Sequence, residues 1–421
     1  MRRAFLNAQL PTGHGGLLFE GGRILAVGQD VTAANVGKTE IQHCAGRLIL
    51  PGLIDMRVFT GEPGSEYRET LASASEAAAA GGVTTMIVMP NTTPVIDNAA
   101  MVDFILRRAR DTAKVRVAPM GAITKGTNGA EMAEFGLMKE AGAVAVTDGI
   151  HGVINSGLLR RAMLYAKDHD VLLVQHVEEP ALATGVMNTG AVAAALGLPG
   201  SYAMAEVIML ERDLRLVEMT GCRYHASQIS CAESVEVMRR AKHKGLPVTC
   251  GVSVHHLGLN ENDVGPYRTF FKVSPPLRSE EDRNALVAGL AEGVIDVVVS
   301  GHDPQSDDTK RLPFAEAAFG AVGLETLLAA SLTMVHNKNI DLKRLVEVLS
   351  EAPARLLGLA QGQLRVGAPA DFVVVDPHRN WKVEPGNLRT RSKNSPFEHR
   401  TLEGRAVETW VAGGKVYAYA D

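Results

Sequence analysis

Five polar residues stand just past short apolar runs of strand-like composition: Asn91, Asp148, His176, Gln228 and His302. Asp148 and His176 carry lone pairs of the kind that ligate a divalent cation, and Asn91 and Gln228 offer amides that bond a polar ligand. Polar groups gathered at the carboxyl ends of parallel strands are how barrel enzymes assemble a site. Each also has a blander role. His176 suits a histidine satisfied by internal hydrogen bonds, Asp148 precedes Gly149 and suits a turn, and Asn91, between Pro90 and Thr92-Thr93-Pro94, suits a loop brace. Three cysteines, Cys222, Cys231 and Cys250, lie near the same region, but their spacings match no ligand motif and small buried thiols are common.

Eight apolar runs can position these residues: Leu53 to Asp55, Thr84 to Met89, Val115 to Pro119, Ala143 to Val146, Leu172 to Val174, Arg223 to His225, Val248 to Val252 and Val297 to Val299. They alternate with stretches of helical period, Glu69 to Ala80, Asn98 to Arg110, Glu131 to Ala141, Leu158 to Asp168, Ala232 to Lys244 and Glu280 to Glu292, the last opened by Ser279 with Asp282 three residues on. Ala317 to Val335 and Leu342 to Leu357 read as closing helices. This alternation predicts βα units around a parallel sheet, and eight strands predict a closed (β/α)8 barrel of the TIM type over residues 48–364. Short runs broken by Gly21-Gly22 and Gly413-Gly414 predict small antiparallel strands and a hairpin at the two ends. Residues 1–47 and 365–421 are therefore expected to fold together as a small β-sandwich. Residues 387–400 read as an exposed loop, and Lys310-Arg311 as a solvated one.

The formal charge of -4 gives no reason to expect nucleic acid or an anionic membrane as partner. Four scattered cysteines make no disulfide framework, no run approaches the ~20 apolar residues of a membrane span, and Met1 to Gly16 shows no targeting pattern. A cytoplasmic location is the expectation.

Several motifs together resemble the dihydroorotase branch of the amidohydrolase superfamily. They are Pro51-Gly52-Leu53-Ile54-Asp55, Glu62-Pro63-Gly64, Gly81-Gly82-Val83-Thr84-Thr85, Met89-Pro90-Asn91-Thr92, His255-His256-Leu257, Ser274-Pro275-Pro276-Leu277-Arg278 and the run from Lys310 to Thr326. The resemblance implies an amidohydrolase barrel and reversible cyclisation of N-carbamoyl-L-aspartate to dihydroorotate at one or two zinc ions. It also implies Asp148 and His176 as metal ligands and Asn91 as a substrate contact. The rest of the implied site is missing. Arg57 and Phe59 stand at the His-x-His positions, Gly61 at the substrate arginine, Gln228 at a histidine ligand, Gly301 at the catalytic aspartate and Gln305 at a substrate histidine, with Val273 near an expected asparagine.

Arg57 cannot donate a lone pair, and a guanidinium ~4 Å from a dication at an effective dielectric of ~20 opposes binding by roughly 8 kcal/mol. The leading expectation is thus a chain without cofactor, similar to the noncatalytic dihydroorotase homologues that serve as structural subunits of aspartate transcarbamoylase complexes, and oligomeric. The alternative is an active dihydroorotase with a rebuilt one-zinc site. There Asp303, two residues past Gly301, joins Asp148 and His176 as the candidate catalytic residue, with His225, His255 or His256 supplementing them. The plainer view of Asp303-Pro304 is the opening of a turn.

Overall fold

The computed structural model describes residues 2–420. Eight parallel strands run in sequence around a barrel: Leu53–Val58, Val83–Val88, Arg116–Gly121, Ala145–Val146, Leu173–Gln175, Tyr224–Ala226, Val248–Ser253 and Val297–Val299. Each pairs with the next, and the ring is closed by a parallel bridge between Val58 and His302, with Phe59 N–H donating to the His302 carbonyl at 2.9 Å. Ile54, Met56, Ile87, Met89, Met120, Leu172, Val174, Val297 and Val299 form one buried apolar cluster. A larger one, including Leu53, Val83 and Val88, is shared with helix residues such as Leu71, Val102 and Leu159. This two-sided burial explains why the strands read as near-continuous apolar runs rather than as alternations.

Helices begin where their caps are. Asn98 Oδ1 accepts from Met101 N–H at 3.0 Å ahead of Ala99–Thr112, and Ser279 and Asp282 complete the expected capping box before Glu280–Ala291. Four helical readings change. The helix after the third strand covers only Phe135–Glu140, because residues 124–132 turn back on themselves through Lys125 N–H to the Glu131 carbonyl. Ala317 to Val335 is helical only as Leu327–His336. The preceding stretch lies against the eighth strand end, Asp303 N–H donating to the Ala321 carbonyl at 2.7 Å, and Gly320 takes a φ of +123°. Leu342 to Leu357 is broken by a wide π turn at Glu347–Glu351. Met204–Thr220, the longest helix described, had no place in the sequence reading; its charged residues Glu206 and Asp213 are buried, which blurs the apolar stripe.

The run Leu48 to Asp55 does not make one strand. Leu48–Pro51 joins the sheet of the chain ends, pairing with Phe372–Lys382, and Leu53–Val58 joins the barrel. The break falls at Gly52, where a Cβ would lie 2.1 Å from the Thr84 hydroxyl oxygen. The end sheet is mixed rather than antiparallel throughout, since Arg2–Leu10 pairs in parallel with Glu40–His43. It curls into a sandwich-like layer. Phe19 and Trp410 lie four strands apart, about 19 Å on a flat sheet, yet their ring centroids are 5.8 Å apart. Phe5 and Phe372 fill the space between them.

Residues 387–400 are not an exposed loop. Leu388, Thr390, Ser392, Asn394, Ser395 and Phe397 are all buried. Glu69, itself fully buried, accepts from the Thr390 hydroxyl and the Arg391 N–H, and Asn394 Nδ2 donates to the Gly320 carbonyl at 3.1 Å. The segment is a strap holding the loop after the eighth strand. Its polar composition reflects hydrogen bonds made inward, which composition alone cannot distinguish from hydration.

Candidate functional site at the barrel mouth

The first barrel strand ends at Val58, and its pairing with the second is irregular between Asp55 and Val58. Arg57, 3 % exposed, lies within this irregular stretch, its guanidinium carbon 5.0 Å from the centroid of the Phe59 ring. Its Nε is shut off from solvent with no hydrogen-bond partner, and the side chain enters no ion pair among the described residues. Burial lowers its pKa, opposed by the charges of Asp303 and Asp55. Arg57, Phe59, Arg68, Asn91, Ser274 and Asp303 line a cavity of about 520 Å³ at the barrel mouth.

Asp303 is held by the backbone bond to Ala321 and by Gln305, whose Nε2 donates to Oδ1 at 2.9 Å. Burial raises its pKa against the opposing charges of Arg57, Arg68 and Lys310. Lys310 is not a solvated residue. It is 4 % exposed, and its Nζ donates to the carbonyls of Thr269, Lys272 and Ala318. Burial pulls its pKa down to about 7, but three carbonyl acceptors call for the three donors of an ammonium, and we assign the charged form. Its neighbour Arg311 is exposed, as read.

Asp148 and His176 face elsewhere. Asp148 Oδ1 accepts from the N–H groups of Ile123 and Thr124 at 2.9 Å each, and Oδ2 from the Thr124 hydroxyl at 2.5 Å, so both oxygens are engaged. Burial still pushes its pKa up to about 6. His176 Nε2 is hydrogen-bonded to Glu178 Oε2 at 3.1 Å, its Nδ1 is buried without a partner, and it lines a second cavity of about 660 Å³ that shares the Ile150 wall with the first. Burial works to raise the Glu178 pKa, but the bond and charge of His176 hold it below the usual carboxylate range. Asn91 Nδ2 donates to the Asp148 carbonyl at 3.1 Å, bracing the turn at Gly149, while its Oδ1 is buried and unpartnered.

The remaining histidines are engaged or enclosed. His256 spans Ser253 Oγ and the Pro275 carbonyl, His225 meets Thr249 Oγ1 at 2.8 Å, and His255 is buried against Phe397. Burial lowers all three pKa values, to about 4 for His256 and about 3 for the others. Gln228 is buried with Oε1 unpartnered. His302 points away from the cavity, its Nε2 3.6 Å from Glu69. The four cysteines are free and buried, which raises the pKa of each thiol.

Zinc would need three convergent donors and an open position. Among the described residues, the one trio of His, Cys, Asp or Glu whose donor atoms lie within 4.8 Å of one another is His336, His378 and Glu403, on the outer face. Asp148, His176 and Asp303 are not among them, so the three donors of the rebuilt one-zinc set do not converge in this structure. A zinc ion does not fit the mouth as it stands: the nearest groups are a guanidinium, a phenyl ring and one carboxylate. Gly301, at φ +65°, leaves little room for a larger residue, since a Cβ there would lie 3.1 Å from Ser253 Cβ and 3.2 Å from His255 Nδ1.

Residues 46–234 match the family described as Dihydro-orotase-like, and residues 295–417 match the Amidohydrolase family. A dihydroorotase of Citrifermentans bemidjiense is 44% identical over 402 residues, covering 95% of this chain and 94% of its own. One of Syntrophus aciditrophicus is 42% identical over 411 residues, covering 97% and 96%. This chain belongs to the dihydroorotase family. Among solved structures, the L-hydantoinase (dihydropyrimidinase) of Arthrobacter aurescens superposes with a TM-score of 0.89 at 26% identity, covering 100% of this chain and 96% of its own. The dihydropyrimidinase of Brevibacillus agri, at 21% identity and TM-score 0.85 over 99% and 95%, shares the fold. Within the family frame, Ser274 of the Ser274-Pro275-Pro276 motif lines the mouth, and so does Arg68, which belongs to none of the motifs named from the sequence. Arg68 sits six residues after Glu62 in a loop that folds back to the cavity, and nothing in its immediate neighbours marks it. No helix of the described residues is long and apolar enough to cross a membrane.

Proposed function

We propose that this chain is a dihydroorotase-like protein of pyrimidine biosynthesis that has lost turnover and acts as a structural subunit with aspartate transcarbamoylase. The family assignment supports the pathway. The observation that carries the loss of turnover is Arg57, a residue 3 % exposed whose Nε has no hydrogen-bond partner, at the end of the first barrel strand. A fixed positive charge there repels a dication, and the side chain has no lone pair to offer one. Gly301 adds to this, because the place where a proton carrier is needed holds only backbone. The step to aspartate transcarbamoylase rests on analogy within the family.

The test is metal analysis of the purified chain with turnover measured in both directions, alone and mixed with aspartate transcarbamoylase. We expect no stoichiometric zinc, no interconversion of N-carbamoyl-L-aspartate and dihydroorotate, and a stable complex whose transcarbamoylase activity falls when this chain is removed. Stoichiometric zinc with turnover abolished by His176→Ala would replace this proposal with the active enzyme, using the unpartnered His176 Nδ1 after rearrangement. Turnover without complex formation would sink the partner as well.

A further inference from the structure

We infer that His336, His378 and Glu403 form a binding site for one divalent transition-metal ion of the zinc class, sharing no residue with the barrel mouth. The inference goes beyond the proposed function and does not rest on it. Three elements supply the ligands. His336 ends the helix Leu327–His336, and His378 and Glu403 come from the paired antiparallel strands Phe372–Lys382 and Thr401–Val411 of the end sheet. Their donor atoms all lie within 4.8 Å of one another. Glu403 presents one oxygen to each ring: Oε1 lies 2.9 Å from His378 Nδ1, and Oε2 lies 3.7 Å from His336 Nδ1. The two rings are 26° from parallel with centroids 5.9 Å apart, so they flank the carboxylate side by side.

Packing produces this convergence. Gly404, next to Glu403, has a φ of +100°, and a Cβ there would lie 2.5 Å from Leu332 Cδ1. Leu332 precedes His336 by four residues, about one helical turn on the same face. The strand therefore approaches the helix closely enough for Glu403 to reach His336. Asp376 pairs with Arg405 and Asn380 with Glu403, so four steps along one strand face two along the other. His378 stands in the resulting bulge, its N–H donating to Asp376 Oδ1 at 3.3 Å.

The donor set selects the ion. With each ring proton on Nε2, both Nδ1 atoms offer lone pairs. Glu403 adds a carboxylate whose pKa the His378 hydrogen bond lowers. Two imidazoles and one carboxylate suit zinc and its neighbours, whereas magnesium and calcium call for oxygen ligands. Donors around a tetrahedral zinc ion stand about 3.3 Å apart, so the trio must close by up to about 1.5 Å. His378, whose side chain is 79% exposed, has the freedom to move. The carbonyl end of the helix favours a cation at its last turn. The neighbouring guanidinium groups of Arg379 and Arg405 lie over the Tyr419 ring, at 4.6 and 4.1 Å from its centroid. An ion bound here joins the helix to both strands. It also exchanges with the medium, so a chain purified without added zinc is not expected to retain it.

Calorimetry on the full chain, stripped with chelator and dialysed, tests the inference with Zn²⁺ and, separately, Mg²⁺. The expected result is saturable binding of one equivalent of Zn²⁺, with Mg²⁺ at least tenfold weaker. His378→Ala and Glu403→Gln should each lower the zinc affinity by about tenfold or more. His176→Ala should bind zinc as the parent does, which separates this site from the barrel. A near-ultraviolet spectrum of His378→Ala like that of the parent separates lost binding from lost folding. No saturable zinc binding, equal binding of Mg²⁺, undiminished affinity in folded His378→Ala, or zinc binding lost in His176→Ala would each overturn the inference. Absence of zinc binding at His378 leaves the account of turnover untouched, and turnover dependent on His176 leaves zinc binding at His378 untouched, so the two readings fail separately.

Discussion

Replacing Gly301 probes how tightly the backbone just past the eighth strand restricts this position. At φ +65° an L residue with a Cβ costs about 1–2 kcal/mol relative to glycine. The Cβ would also press on Ser253 and His255 at 3.1 and 3.2 Å, so both neighbours must give way by a few tenths of an ångström. Gly301→Ala should therefore destabilise by about 2 kcal/mol. Gly301→Asp adds a carboxylate in a buried place near Asp55, which already accepts from the Ser300 N–H, so another ~1–3 kcal/mol follows from an unpaired buried polar group. Gly301→Asn, a residue that tolerates this conformation, should sit between glycine and aspartate. Urea unfolding followed by tryptophan fluorescence measures the series. With an m value of about 3 kcal/mol/M, the midpoint should fall by roughly 0.7 M for Ala and by 1 M or more for Asp. Turnover should not appear in Gly301→Asp, because no metal donors converge beside it. Parent-like midpoints for Ala and Asp would refute the strain argument, and dihydroorotate formation by Gly301→Asp alone would refute the account of the site.

Two further perturbations separate structural from chemical roles. Asp148→Ala strands three donors from Ile123 and Thr124 and should cost about 3 kcal/mol or more; a midpoint within error of the parent would leave Asp148 free for another task. The folded pKa of Asp148, about 6, lies above its unfolded value, so the native state holds the proton longer. Its contribution is complete below pH ~4 and is lost as pH rises through about 6, amounting to at most about 3 kcal/mol. The difference in stability between parent and Asp148→Asn should accordingly change between pH 4 and 7, and a difference flat across that window would contradict the pKa shift. Glu69→Ala removes the acceptor that ties the 387–400 strap to the barrel. Hydrogen exchange should show faster exchange at residues 390–397 ahead of the barrel strands, and uniform exchange along the chain would show that the strap is held by something else.

The barrel is legible in the order of residues alone. Eight apolar runs bounded by turn residues can satisfy their backbone and bury both faces in few ways, and the observed strands fall within a few residues of those runs. The same order determines that Arg57 and Phe59 are not metal ligands, since neither has a lone pair to give wherever it points. Which polar residues meet is settled by folding and cannot be read from their order. Asp148 and His176 turn to other partners, while Arg57 and Arg68 share one cavity with Asp303, more than two hundred residues further along the chain. Folding alone decided that Lys310 and the 387–400 strap are buried, because a polar side chain reads the same in sequence whether water or an inward carbonyl satisfies it. The fold follows from a pattern repeated over hundreds of residues. The site depends on the direction of a few side chains, and that direction is set by neighbours far away in the chain.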